Sequence, residues 1–169
     1  MILNPYNAIK DGWITFPELP FNERQLQPNG IDLRIKSAVM ISPDQTLVMS
    51  EGNKSKVAKV SVSIGRTGPD WYGHEWIQMK RNLTYEVETF EFVTVPENVC
   101  AMVVGRSTLN RNGIIARSAH YDTGFKNFVG LVIYPTIDFH VMVGTRIAQI
   151  IFMKADSANM YDGQYQSKG

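Results

Sequence analysis

The sequence predicts an all-β domain of the sandwich or jelly-roll kind, with one short helix at its N-terminus. Three observations carry this. Short apolar or alternating runs bounded by Gly, Pro or Asn recur from residue 31 onward. Ile31-Asp-Leu-Arg-Ile-Lys36 alternates apolar and charged residues, the pattern of a half-buried strand, and no amphipathic helical period follows residue 12. Many short strands joined by tight turns fold as a sandwich, barrel or jelly roll. At 169 residues, the chain suits a single domain, 1–169, large enough to bury a core.

Residues 1–12 mix Ile, Tyr and Ala with polar residues and predict the helix, with Asn4 as its cap, Pro5 in its first position and Gly12 at its end. Pro17, Pro20, Pro28 and the pair Asn29-Gly30 then punctuate a loop-rich stretch. Beyond residues 31–36, strands are expected at 57–64, 75–79, 84–95, 100–104, 128–134 and 146–153. Breaks are expected at 50–53, 65–73, 96–98 and Gly144. The tail, about 156–169, is polar and contains glycine, and is expected to be mobile and lid-like until something orders it.

Composition excludes several classes. Seventeen Lys and Arg against sixteen Asp and Glu leave a net charge of +1, and the basic residues are scattered, so no nucleic-acid face is expected. No run approaches the roughly 18 apolar residues of a membrane span, and the N-terminus lacks a basic-then-apolar signal pattern. The single cysteine, Cys100, excludes an intrachain disulfide, and without a Cys or His cluster no structural zinc is expected. A soluble, cytoplasmic protein follows. The sequons at Asn53 and Asn82 are therefore discounted, and His74 and His140, lacking companions at ligand spacing, are taken as structural or surface residues.

Chemistry concentrates in residues 101–125. An apolar run, Ala101 to Val104, delivers the chain to Gly105, and Arg106, Ser107, Thr108, Asn110, Arg111 and Asn112 follow at once. Arg offers forked donors, Ser and Thr offer hydroxyls, and Gly lets backbone N–H groups approach closely, which suits a phosphate-bearing ligand. A polar loop between strands is the other reading. Asp122, in His120-Tyr-Asp-Thr-Gly-Phe125, fits a turn before Gly124. It equally fits a carboxylate that polarises water or grips a sugar hydroxyl, with Phe125 offering a flat face. Asp32 and Arg34 share one face of their strand, where an exposed ion pair would be ordinary. Gln149, inside the apolar run 146–152, needs a partner.

The order of these pieces is more specific than any one of them. Asp32-Leu-Arg34, Gly105-Arg-Ser-Thr-Leu109, Asp122-Thr-Gly-Phe125 and Gly144-Thr-Arg-Ile-Ala-Gln149 resemble the successive motifs of the dUTPase and dCTP deaminase superfamily. The resemblance covers roughly residues 24–166, with 38–80 unmatched. It implies a distorted β-barrel or jelly-roll-like fold and a homotrimer with three active sites at subunit interfaces. The implied substrate is a pyrimidine deoxynucleoside triphosphate with Mg2+ bound through its phosphates.

Several flanking features look like the deaminase branch: Gln27-Pro28, Thr89-Phe-Glu91 before Pro96, Arg111 with Gly113, Ala119-His120, and Tyr161-Asp-Gly-Gln-Tyr-Gln166. In that branch a glutamate seven residues beyond the third-motif aromatic shuttles protons at the cytosine ring. Here that position is Val132, and no glutamate follows Glu97. The resemblance therefore implies dUTPase-like hydrolysis to dUMP and pyrophosphate.

In that reading Asp122 holds the deoxyribose 3′ side and activates the attacking water, and Gly124 and Phe125 bind substrate, the aromatic against the sugar. Arg106, Ser107 and Thr108 grip phosphates, with Ser107 near the departing oxygen, and Gln149 touches the phosphate chain. Arg111 contacts the base or braces the site. Asp32 supports the metal's water shell or the trimer interface, while Tyr161 and Tyr165 close the site from a neighbouring subunit. The alternatives are a dCTP deaminase, a deaminase-like enzyme on a modified pyrimidine, a catalytically silent dNTP-binding regulator, and a structural or capsid-like jelly roll.

Overall fold

The computed structural model describes residues 1–50, 53–54, 59–62, 64–65, 73–163 and 165–167. The expected strand at 57–64 and the breaks at 50–53 and 65–73 lie partly outside the described residues. The helix forms as its cap signals require. In α1 (Pro5–Lys10) the Asn4 side chain accepts the Tyr6 N–H at 3.0 Å, proline stands in the first turn, and Ala8 is buried.

The strands follow in order: β1 (Ile14–Thr15), β2 (Leu26–Gln27), β3 (Gly30–Ile41), β4 (Met49–Ser50), β5 (Asn53–Lys54), β6 (Lys59–Ser61) and β7 (Ile64–Gly65). Then come β8 (Trp76–Met79), β9 (Thr84–Thr94), β10 (Val99–Gly105), the short helix α2 (Ser107–Arg111), β11 (Ile114–Tyr121), β12 (Lys126–Pro135), β13 (Phe139–Met142) and β14 (Arg146–Lys154). Because β9 pairs with both β12 and β3, the strands β9, β12, β11, β10, β14 and β3 close on themselves as a six-stranded barrel. Closure leaves those six strands without a free edge. A three-stranded sheet of β13, β8 and β7 and a β4–β5 ribbon accompany the barrel.

Inward-facing residues alternate along each strand, as the period-two pattern requires. Val87 and Val93 of β9, Val129, Leu131 and Ile133 of β12, and Ile31, Leu33 and Ile35 of β3 are all at most 3% exposed. Each such side chain contributes about 1.5–3 kcal/mol by leaving water.

The structure departs from the sequence expectation in three places. The polar segment after Gly105 is not a loop but the one-turn α2, and residues 114–121 and 139–142 add two strands. The first turn of β3 is buried on both faces rather than half-exposed, so Asp32 and Arg34 are not an exposed ion pair. They are only 2% and 6% exposed, and Arg34 pairs with Glu91 instead, Nε to Oε1 at 2.8 Å. The physical reason is the loop before β2: Arg34 donates to the carbonyls of Leu19 and Pro20, drawing that loop across the outer face of β3. Glu91, itself 0% exposed, also accepts the Arg34 backbone N–H and the Gln25 side-chain amide, so both of its carboxylate oxygens are used. Among the described residues no helix is long and apolar enough to cross a membrane.

Candidate active site

Two polar constellations form at opposite ends of the β10–β11 ladder. At the first, Asp32 and Gln149 are cross-strand partners on β3 and β14, as are Arg34 and Arg146. Gln149 Nε2 donates to Asp32 Oδ1 at 3.3 Å, and Arg146 Nη1 donates to Oδ2 at 3.1 Å. Arg106 Nε lies 3.6 Å from that same oxygen, and its Nη1 donates to the Arg146 carbonyl at 3.2 Å. The backbone of Asp32 is held as well, its carbonyl accepting Gln25 Nε2 at 2.8 Å.

Burial pushes the Asp32 carboxyl above its ordinary value, while Arg106, Gln149 and Arg146 work against that rise. One buried carboxylate thus orients two arginines and an amide, and this is the partner that Gln149 was expected to need. The last residue of β10 is glycine because a Cβ there would come within 2.9 Å of both the Cβ and the carbonyl oxygen of Ala116. The backbone then turns directly into Arg106 and α2. Ser107, Thr108 and Arg111 are exposed on that helix. Arg106, Thr108 and Arg146, with Trp76, Phe139 and Met142, line a groove of about 330 Å³.

At the other end, Tyr121 closes β11 with its ring inward and its hydroxyl on the Gly130 carbonyl at 2.7 Å. The residues on either side of it therefore point outward. His120 Nδ1 and Asp122 Oδ1 meet at 3.1 Å, both exposed, in a cleft of about 360 Å³ that Thr123, Ser157, Met160 and Tyr161 also line. Phe125 does not line this cleft. It is 7% exposed, with its ring edge-on to Tyr121 (centroids 4.8 Å) and to Tyr161 (5.5 Å).

The described part of the tail lies on its own chain's third motif. Tyr161 N–H donates to the Thr123 carbonyl at 2.7 Å, Gln166 Nε2 to the Gly124 carbonyl at 2.9 Å, and Asn127 Nδ2 to the Tyr165 carbonyl at 2.8 Å. Gly124 sits at φ +86°, where a Cβ would meet Met160 and the Tyr161 nitrogen, so the tail can seat only over glycine.

The chain thus brings Asp32, Arg106, Gln149 and the α2 hydroxyls to one end and Asp122, Phe125, Tyr161 and Tyr165 to the other. Asp122 follows the β11 residue paired with Ala101, whereas Arg106 follows the far end of the seven-residue β10. At about 3.3 Å per residue the two ends are roughly 20 Å apart. Between them, Met102, Val104, Ile115, Val132 and Tyr134 form an apolar outer face on β10, β11 and β12, each 36–42% exposed.

Sequence reasoning passed over three residues. Arg146 lay inside a quoted motif without a role, and His120 stood beside Asp122 as a family marker only. Glu86 had no sequence signal at all. It is the cross-strand partner of Val132 on β9, on the same face, with its carboxylate paired to Lys59.

Comparison with known proteins agrees with this architecture. A family model described as dCTP deaminase-like matches residues 6–155. A protein of Methanopyrus kandleri named probable deoxyuridine 5'-triphosphate nucleotidohydrolase is 27% identical over 167 residues, covering 98% of this chain and 99% of that protein. A dUMP-forming dCTP deaminase of a Sulfurihydrogenibium species is 27% identical over 154 residues, covering 88% and 82%. Among solved structures, the 2'-deoxycytidine 5'-triphosphate deaminase of Agrobacterium tumefaciens superimposes with a TM-score of 0.66 at 18% identity. That match covers 89% of this chain and 47% of the other.

Proposed function

The chain belongs to the dCTP deaminase-like family, and on that premise we propose that it hydrolyses a pyrimidine deoxynucleoside triphosphate, dUTP, to dUMP and pyrophosphate. The observation that carries the hydrolase reading is the pairing of an exposed carboxylate, Asp122, in an open cleft with a valine at position 132. A carboxylate suffices to orient water toward a phosphorus atom. A valine cannot move protons at a cytosine ring, and acid–base help of that kind typically supplies ~10²–10⁴-fold.

In the proposed reaction Asp122 accepts a proton from water as its oxygen bonds to the α-phosphorus, and the bond to the bridging oxygen breaks to release pyrophosphate. Arg106 neutralises the developing charge and the Ser107 and Thr108 hydroxyls donate hydrogen bonds to it, with Gln149 beside them. Asp32 acts through Arg106 and Gln149, holding both in place. Arg111, exposed at the end of α2, contacts the base or braces the site.

A span of roughly 20 Å is too long for one triphosphate to bridge both ends of β10. We therefore place the site between copies, one supplying Arg106 and α2, the next supplying Asp122, in a homotrimer whose contact covers the apolar face around Val132. Among the described residues no group of three His, Cys, Asp or Glu side chains could hold a metal ion. The Asp32 carboxylate is already taken by two arginines and an amide. The donors do not fit a resident Mg2+, so the ion belongs to the substrate, as its Mg–triphosphate complex in the cytoplasmic pool.

One observation favours a second reading. Glu86 stands across from Val132 on the neighbouring strand, its carboxylate paired with Lys59, and is the acidic residue beside the place where the family's glutamate would work. That reading predicts conversion of dCTP to dUTP, lost in Glu86→Gln. The deciding experiment incubates the protein with dUTP, dCTP and their methylated analogues plus Mg2+ and resolves the products by chromatography. The hydrolase reading expects dUMP and pyrophosphate from dUTP, and a ~10²–10⁴-fold loss in Asp122→Asn. Binding of nucleotide without any product would make the chain a regulator.

A further inference from the structure

We propose that His120 is a positioning residue for Asp122, holding its carboxylate in the one orientation in which it can take a proton from water. This rests on the hydrolase reading and adds to it a side chain to which no role has been assigned.

The argument starts from alternation along β11. Tyr121 is pinned inward by its hydrogen bond to the Gly130 carbonyl, by Ser118, and by its edge contact with Phe125. His120 and Asp122 flank it, so both are driven to the outer face and toward each other. Their contact, Nδ1 to Oδ1 at 3.1 Å, is the hydrogen bond found for the Asp122 carboxylate among the described residues.

A carboxylate just past a strand end, with its second torsion broad and roughly two-fold, has no other hydrogen bond among the described residues to set which oxygen faces the ligand. With Oδ1 occupied by an Nδ1–H donor, Oδ2 keeps its lone pairs for the attacking water. The proton released as the oxygen–phosphorus bond forms goes to Oδ2, and the imidazole keeps its own. A base fixed in one orientation lowers the barrier without adding affinity, because the restraint is in place before substrate arrives. Thr123 stiffens the same turn from below, its hydroxyl donating to the Val99 carbonyl at 2.6 Å. The chain after Asp122 is thus anchored as firmly as the chain before it.

The test uses the full chain with dUTP and Mg2+. His120→Asn carries an amide nitrogen where Nδ1 stands and preserves the donor; His120→Ala removes it. The expected result is kcat near wild type in His120→Asn and a kcat lowered roughly 10- to 100-fold in His120→Ala, with KM unchanged in both. Nitrogen NMR at about pH 8.5, above the ordinary imidazole range, supplies a readout independent of turnover. It is expected to find His120 as the Nδ1–H tautomer in wild type and not in Asp122→Asn.

Equal losses in His120→Asn and His120→Ala, an effect confined to KM, full activity in His120→Ala, or a tautomer indifferent to Asp122 each overturn the proposal. If the wild type turns over no dUTP while its tautomer still depends on Asp122, the hydrolase reading is what has failed, and the positioning role falls with it.

Discussion

The two ends of the β10–β11 ladder are built on opposite plans. At the Arg106 end, a carboxylate 2% exposed is ringed by Arg106, Arg146 and Gln149, and a second, 0% exposed, is closed by Arg34 and Gln25. Both buried carboxylates there are answered within the chain. At the Asp122 end, the carboxylate and its histidine stand open over a cleft, and the cover over Phe125 comes from the chain's own tail. The difference teaches where the chain invests its stability. Groups that must hold a fixed array of positive donors are buried and over-determined, because unpaired buried charge is costly. Asp122, the group the proposed reaction sets against water, is exposed.

The sharpest way to break this comparison is to damage each end separately and mix the products. Arg106→Ala and Asp122→Asn should each fall ~10²–10⁴-fold in kcat by themselves. Unfolded together and refolded as mixed assemblies, they should regain roughly a quarter of wild-type turnover, since a random pairing of chains joins two intact halves one time in four. Mixtures as silent as their parents would place both ends in one chain and remove the shared site.

Stability should divide the two ends the other way. Glu91→Ala strips Arg34 of its buried partner and should cost about 3–5 kcal/mol in denaturant unfolding. Asp122→Asn should stay within about 0.5 kcal/mol of wild type. Comparable losses from the two substitutions would erase the contrast between a built end and an open one.

The smallest expected effect concerns pH. Burial raises the Asp32 carboxyl above 3.8, so the folded state holds this proton more tightly than the unfolded chain does. Stability from that proton is present below the unfolded value and lost as pH rises through the folded one. Asp32→Asn, which cannot titrate, should lack this decline, so the gap between wild type and Asp32→Asn should move in the variant's favour as pH climbs from about 4. A gap that moves the other way would mean the two arginines outweigh burial.

Much of the fold is legible in the sequence alone. Period-two alternation marks most of the long strands, and Asn4 and Pro5 mark the helix. The motif order identified the superfamily, and Val132 weighed against the deaminase branch. These are local properties: a side chain's chemistry and a strand's period are set by neighbours along the chain. The helical turn at 107–111 escaped because it is too short for a helical period to show, and 114–121 because its outer face mixes Ile115 with Arg117 and His120.

What only the tertiary structure decided is non-local. That Arg34 is buried follows from a loop some fifteen residues earlier folding over it, and Asp32 is covered by Arg106 and Arg146 from other strands' ends. That Glu86 faces Val132, and that Asp122 and Arg106 stand at opposite ends of one strand, follows from barrel closure and register. A strand's own sequence says which of its faces is apolar. Which residue of a partner strand lies opposite is settled by the turns, bulges and closure of the whole sheet.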